Sequence, residues 1–260
     1  MAGYRLTRLL IHVFAAVLTG ITLYPFLGLD RRRRYIQRWS VKLLAICGIE
    51  VRVTGANALA SRALIVANHH SWIDIYLINS LSPCRFIAKA EIGNWPVIGW
   101  LGRKSGTIFI ERGRQRDLKR ILKNLAVPLH SGERFAFFPE GTTSMQGNLL
   151  PFHPNLFEAA IGAGIAIQPF AIRYLDTSGS HHAAIDFSGE TTFLQSVFSV
   201  LRTTEIKAEL IVLPPLKTVG MHRRDLARMS RETVSKALSR ESGNPGIQPE
   251  KQPDPQVELP

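Results

Sequence analysis

The stretch that most constrains the fold is Ala67-Asn68-His69-His70-Ser71-Trp72-Ile73-Asp74, because of what flanks it. Ala63 to Val66 before it is an uninterrupted apolar run and reads as a buried strand. Ile75 to Leu81 after it is a second apolar run and reads as the start of a helix. A buried strand feeding a helix through a short turn implies an α/β layer. Such turns are where α/β proteins commonly place their chemistry. His69 can take a proton near neutral pH. Asp74, if the turn folds back, can hold the other ring nitrogen and stabilise the imidazolium. A structural reading of the same residues exists. Ser71 followed three positions later by Asp74 fits a helix capping box, with Asp in place of Glu or Gln.

Along the rest of the chain, strands are expected near 51–54, 63–67, 85–88, 107–110, 134–138, 166–173, 183–187 and 207–213. Helices are expected near 72–81, 116–130, 154–163, 192–201 and 223–239. The alternation predicts an α/β domain over residues 49–240, with a largely parallel or mixed sheet flanked by helices. Residues 241–260 hold five prolines and little that is apolar, and read as a disordered tail. There is no internal repeat.

Residues 1–48 read differently. Positions 9–29 contain no Asp, Glu, Lys or Arg. At ~1.5 Å per residue they could reach roughly 32 Å, about the thickness of a bilayer core. His12 and Pro25 weaken that reading. A cleaved signal peptide is one alternative, but no small-residue cleavage site follows. A helix lying in the interface is another. The arginine block Arg31–Arg34 would keep the remainder of the chain on the cytoplasmic side of an inner membrane. Residues 31–48 then suit a second helix that touches lipid or packs on the domain, with Tyr35 and Trp39 suited to headgroup level.

The chain carries 32 Lys and Arg against 20 Asp and Glu, a net charge of +12 that points to an anionic partner. Ten of those basic residues, against two acids, fall within residues 1–62, beside the apolar stretch. That placement favours an anionic membrane over nucleic acid, for which no recognition motif is present. Cys47 and Cys84 lie on separate apolar segments and form neither a disulfide framework nor a metal cluster.

Three further stretches carry candidate chemistry. Phe109-Ile110-Glu111-Arg112 ends a short strand with an arginine able to fork onto a phosphate. Phe138-Pro139-Glu140-Gly141-Thr142-Thr143-Ser144 follows a strand with a turn signal. Gly141 there permits φ > 0 and close approach to a ligand, and Glu140 could accept from substrate hydroxyls or orient the loop. Pro169, inside the strand pattern of 165–172, implies an edge, a bulge or a strand end.

In order and spacing, Asn68-His69…Asp74, Phe109-Ile110-Glu111-Arg112, Phe138 to Ser144 and Pro169 together resemble the glycerophospholipid acyltransferase family, over roughly residues 50–215. The resemblance implies an acyltransferase with His69 as general base and Asp74 as its partner. It implies substrate binding by Arg112, Glu140, Gly141 and Thr142. It implies a lysophospholipid acceptor, acyl-CoA or acyl carrier protein as co-substrate, and no metal or other cofactor. Thr143 stands where many phosphatidate-forming members have arginine. The Phe-Pro-Glu-Gly-Thr-Thr-Ser form also looks like that of bacterial lyso-ornithine lipid acyltransferases. Two readings of another kind are a basic lipid- or nucleic-acid-binding protein and a catalytically dead relative.

Overall fold

The computed structural model describes residues 2–111, 125, 128–129, 132–187, 189 and 191–240. Seven strands form one sheet: β1 (Ile49–Thr54), β2 (Ala63–Ala67), β3 (Arg85–Lys89), β4 (Ile108–Ile110), β5 (Phe135–Phe137), β6 (Ala166–Leu175) and β7 (Ile206–Val212). Their order is β1-β7-β6-β2-β5-β3-β4. All neighbours are parallel except β6 and β7. The sheet is therefore a five-strand parallel block, with β7 and β1 running the other way beside it.

The period of two along β2 explains why Ala63–Ala67 is apolar throughout. Leu64 and Val66 enter the core on one face of the sheet, and Ile65 and Ala67 the core on the other. On the Ile65 face lie α2 (Leu29–Cys47), α3 (Ile73–Leu81) and α7 (Phe193–Arg202), supplying Leu43, Ile46, Leu77, Ile78 and Val200. On the Leu64 face lie α6 (Glu158–Ala163) and α8 (Arg223–Arg240), supplying Ala159, Leu226 and Val234. Thr192 caps α7 by the reciprocal bond with Gln195 that defines a capping box.

Four expectations need correction. Residues 9–29 are not one helix. Helix α1 begins at Ala2, takes in Arg5 and Arg8 and stops at Thr22; Pro25 then lies in a 3₁₀ turn, Tyr24–Phe26, before α2 starts. Proline has no N–H to continue the ladder, and its ring clashes with the preceding turn. Residues 183–187 are not a strand. Ala183–Ile185 form a 3₁₀ turn in which the His182 side chain accepts from the Ala184 N–H. Residues 90–105, which fall in none of the expected helices, hold two, α4 (Ala90–Gly93) and α5 (Pro96–Ser105). The second has proline in its first turn, Arg103 and Lys104 in its last, and Gly106 in the left-handed conformation behind it.

The fourth correction is Pro169, which lies in a central strand between β2 and β7. The last β6–β7 pair is Phe170↔Val212, and the Pro169 carbonyl accepts from the Leu213 N–H just beyond it. N–H and C=O of one residue point to the same side of a strand. The donor that proline lacks therefore faces the end of β7, and the ladder with β2 loses nothing. The helix expected at 116–130 lies mostly outside the described residues, as do Arg112 and the tail from 241 on.

Helix α1 packs against α2, α5 and α7 through Leu9, His12, Ala16 and Gly20. His12 stacks on Trp39 with ring centroids 4.6 Å apart, and its Nε2 lies 3.0 Å from the Trp39 carbonyl. Arg5 donates to the carbonyls of Leu201 and Thr203 at the end of α7. A Cβ on Gly20 would come within 2.9 Å of the Trp100 ring, so only glycine lets α1 approach α5 this closely. The opposite face of α1 leaves Tyr4, Leu10, Ile11, Phe14, Leu18 and Ile21 exposed.

Candidate active site

Strands β2, β5 and β6 run parallel, and the loops leaving β2 and β5 meet beside β6. From β2 come Asn68 to Ser71; from β5 come Phe138 to Ser144; β6 extends past the end of β2 and presents Ile172 and Tyr174. Register fixes this, because Ala67, the last residue of β2, pairs with Phe170 and leaves β6 running on alongside the turn.

Asp74 stands in the first turn of α3 and is completely buried. Its Oδ2 accepts from His69 Nδ1–H at 2.8 Å, from the His70 N–H at 2.7 Å and from the Ser71 N–H at 2.9 Å. Its Oδ1 accepts from the Tyr174 hydroxyl at 2.6 Å. Half of the expected capping box is thus present, the half in which the acid takes the N–H of Ser71. The other half is missing: the Ser71 hydroxyl is buried with no partner among the described residues. Capping and holding His69 are done by one carboxylate. Burial alone would raise the pKa of Asp74. The hydrogen bond from His69, the charges of His69 and His70 and the Ser71 N–H outweigh it, and the carboxyl is held below its ordinary value. Burial, then the charge of Asp74 and the hydrogen bond to it, pushes the Tyr174 phenol well above its ordinary value, so it stays a donor.

The bond to Asp74 puts the proton of His69 on Nδ1 and the lone pair on Nε2. Nε2 has no partner among the described residues, and the side chain is 18% exposed. The imidazole lies flat on Phe138, ring centroids 3.9 Å apart and planes 6° from parallel. Its orientation is therefore set from one edge by Asp74 and from one face by Phe138.

The turn after β5 is tied to the turn after β2 through Glu140. This carboxylate is 3% exposed, with Oε1 accepting the His69 N–H at 2.8 Å. Its Oε2 accepts the Ser144 hydroxyl and the Leu150 N–H, each at 2.9 Å. Ser144 N–H in turn donates to the His69 carbonyl at 2.8 Å. Both oxygens of Glu140 take protein donors, the arrangement that an orienting role requires. Gly141 has φ 70°, the left-handed region, and its N–H closes the turn onto the Phe138 carbonyl at 3.0 Å. Thr142 is exposed, and its N–H and hydroxyl make no hydrogen bond among the described residues. Thr143 turns its hydroxyl away, onto the Phe187 carbonyl. Arg112 lies outside the described residues, immediately beyond Glu111 at the end of β4.

Sequence reasoning missed three members of this network. Asn68 exchanges two bonds of 2.8 Å with the backbone of Ile172 and so ties the turn to β6. His70 is buried, its Nδ1–H donating to the Ser144 carbonyl at 2.8 Å while Nε2 accepts from Asn68 at 2.7 Å. Tyr174 is the third. Its signal was available: Phe170, Ile172 and Tyr174 share one face of β6, and a tyrosine on a core face needs a partner for its hydroxyl. Among the described residues no cluster of three or more His, Cys, Asp or Glu could hold a metal ion.

A histidine backed by a buried carboxylate, with Nε2 open, can take a proton from a hydroxyl and be stabilised as the imidazolium. Known proteins narrow what such a site serves. The model of the acyltransferase family matches residues 50–173. A lyso-ornithine lipid O-acyltransferase of Pseudomonas aeruginosa is 40% identical over 207 residues, 80% of this chain and 79% of that protein. This chain belongs to the glycerophospholipid acyltransferase family. A 1-acyl-sn-glycerol-3-phosphate acyltransferase of Neisseria gonorrhoeae is 39% identical to the acyltransferase over 150 residues, 57% of this chain and 58% of that one. The crystal structure of a 1-acyl-sn-glycerophosphate acyltransferase from Thermotoga maritima has a TM-score of 0.67 and 25% identity. The match covers 95% of the acyltransferase and 100% of the solved chain.

Proposed function

We propose that His69 is the general base that activates the free hydroxyl of a lysolipid for attack on an acyl thioester. The observation that carries this is the bond from His69 Nδ1–H to the buried Asp74 carboxylate, which leaves Nε2 as the open, basic nitrogen. The acceptor oxygen bonds to the acyl carbon while its proton passes to Nε2. The carbon–sulfur bond then breaks, and the leaving thiolate of CoA or of an acyl carrier protein takes that proton back. Asp74 stabilises the charged ring in between. The acceptor hydroxyl attacks the thioester directly, so the step needs no Ser or Cys nucleophile. Thr142, which is exposed, and Arg112, by its place in the sequence, are proposed to meet the acceptor headgroup, while Glu140 and Gly141 hold the loop that carries Thr142.

Two acceptors fit. The first reading is 1-acyl-sn-glycerol-3-phosphate, giving phosphatidic acid. The second is lyso-ornithine lipid, and Thr143 favours it, because the position is uncharged and its hydroxyl is spent on Phe187. The relative named for that acceptor also matches over the larger share of this chain. Incubating the purified protein with radiolabelled acyl donor and each lysolipid in turn tests both. Product from neither, with parent and His69→Ala alike, overturns the proposal.

The enzyme is proposed to sit on the inner membrane with its domain in the cytoplasm. Helix α1, of 21 residues, is long and apolar enough to cross a bilayer. Its uncharged part, residues 9–22, covers only roughly 21 Å against a core of ~30 Å. One face is already docked on the protein. That arrangement fits a helix lying in the interface with its exposed apolar face in lipid, and with Arg31 and Arg34 exposed to anionic headgroups nearby.

A further inference from the structure

We infer that Tyr174 is a positioning residue for the acyl transfer: its hydroxyl fixes the rotation of the Asp74 carboxylate and thereby the aim of His69. The inference rests on the proposed role of His69 as base and goes beyond it, to a residue on a different strand from those that lead into the His69 and Glu140 turns.

The geometry is specific. Asp74 Oδ2 takes three donors, all from the turn that it closes: His69 Nδ1–H, His70 N–H and Ser71 N–H. Oδ1 takes one, the Tyr174 hydroxyl at 2.6 Å, and this comes from β6, 100 residues away in sequence. Both side chains are fully buried, so no water replaces the bond if it is lost. A carboxylate can rotate about its Cβ–Cγ bond. With Oδ1 unpaired in an apolar core, rotation would share its two oxygens among the three donors of the turn, at the expense of the linear bond to His69. Tyr174 makes that rotation unfavourable. It also connects the dyad to the sheet. Asn68 pairs with Ile172 two residues earlier on the same face of β6, so one strand holds the turn at its start through Asn68 and at its end through Asp74. The groups facing Asp74 are then His69 and His70 from its own turn and Tyr174 from β6. Glu140, from the β5 turn, acts one bond further out through the His69 N–H.

The test is Tyr174→Phe, which keeps every ring atom and removes one hydroxyl. The expected result is a fall in kcat of about ten- to a hundredfold, the range seen when the outer partner of a functional group is removed. KM for both substrates should be unchanged, because Tyr174 touches neither. The acid limb of the kcat/KM profile should move to higher pH, because Asp74 has lost a hydrogen bond that favours its charged form. In the Asp74→Asn background the same change should have little further effect, since Tyr174 acts through the carboxylate. A purely structural role would lower the melting temperature and leave the acid limb in place. Replacing Tyr174 by 3-fluorotyrosine keeps hydroxyl and volume, and therefore reports even if the phenyl variant does not fold. Its stronger donor should move the acid limb the opposite way. The inference is overturned if Tyr174→Phe keeps the parent's kcat and pH profile, or if its effect multiplies fully with that of Asp74→Asn. Failure of the underlying reading looks different: His69→Ala would then retain turnover, whatever Tyr174→Phe does.

Discussion

The turn from Asn68 to Asp74 and the outer face of α1 treat water in opposite ways. In the turn nearly every polar group is buried and matched: Asp74 takes four donors, Glu140 three, and Asn68 and His70 each use both ends of their side chains. On α1 the unmatched groups are apolar: Leu10, Ile11, Phe14, Leu18 and Ile21 stand in solvent on one side of the helix. A site that moves a proton needs fixed directions, and buried hydrogen bonds supply them. A surface that seats on lipid needs only area, which apolar side chains supply without direction. Substitutions should therefore hurt the two regions differently: turnover in the first, location in the second.

The largest effect on turnover is expected at His69. His69→Ala should lower kcat by ~10²–10⁴-fold, as for loss of a general base, while the domain still folds. Circular dichroism alongside the assay checks both halves, and near-parent turnover would remove His69 from the mechanism. Asp74→Asn should approach that loss. An amide oxygen can still take the turn's N–H groups, and the Tyr174 hydroxyl can turn to accept from the amide, but the charge that stabilises the imidazolium is gone. Stability should suffer modestly and in a pH-dependent way. The carboxyl of Asp74 is held below its ordinary value, so its contribution is full above the unfolded-chain pKa of ~3.9 and is lost as pH falls through the lower folded value. The gap in melting temperature between parent and Asp74→Asn should therefore narrow as pH drops below about 4. A gap that stays constant into acid would mean that Asp74 draws no stability from its charge.

Glu140→Gln is expected to cost less activity and more stability. One end of the amide must face donors that the carboxylate satisfied. If its oxygen stays on the His69 N–H, its NH₂ opposes the Leu150 N–H, and only the Ser144 hydroxyl can turn to accept. Leaving a buried donor unpaired costs ~1–3 kcal/mol. Denaturant unfolding measures the loss. A variant as stable as the parent but unable to bind acceptor would return Glu140 to substrate contact.

How far the sequence could be read follows from the same contrast. The strand–turn–helix around His69 was legible because burial on both faces leaves a continuous apolar run in β2; the catalytic reading of His69 and Asp74 over a capping one came from the other motifs taken with it. The bond between His69 and Asp74 is local, five residues apart, and local spacing constrains it. That Tyr174 needs a partner was legible, but which partner it or Asn68 finds was not, because those partners lie about 100 positions away and depend on strand order and register. Only the pairing of Ala67 with Phe170 brings them together. Pro169 misled for a related reason. Proline argues against a central strand only if its missing donor leaves an acceptor unpaired; here the Leu213 carbonyl opposite Pro169 takes the Gln168 side-chain amide instead. Helix α5 carried proline and glycine at its two ends, but its weak apolar pattern hid it. In the apolar segment at 9–29, Pro25 was the sequence signal of the break, and the absence of charge on both sides of it is what made the segment look continuous.

The smallest effect on turnover is expected from the face of α1. Changing Leu10, Phe14 and Leu18 together to Gln alters residues that are 60%, 69% and 53% exposed and that lie opposite the docked face. Nothing in the His69–Asp74 network touches them, so kcat with a short-chain, water-soluble lysolipid should equal the parent's. Partitioning should change instead. Full burial of such a side chain contributes ~1.5–3 kcal/mol, and here roughly half of each remains to be buried. The three together should weaken binding to anionic vesicles by ~3 kcal/mol, about a hundredfold. The apparent KM for acceptor carried in those vesicles should rise accordingly. Co-sedimentation with vesicles and the two assays, run on one preparation, separate the outcomes. Parent-like sedimentation would mean that another surface holds the membrane. Loss of turnover on the soluble acceptor would mean that α1 supports the site itself, through Arg5 and α7, and that the two regions are less separate than their chemistry suggests.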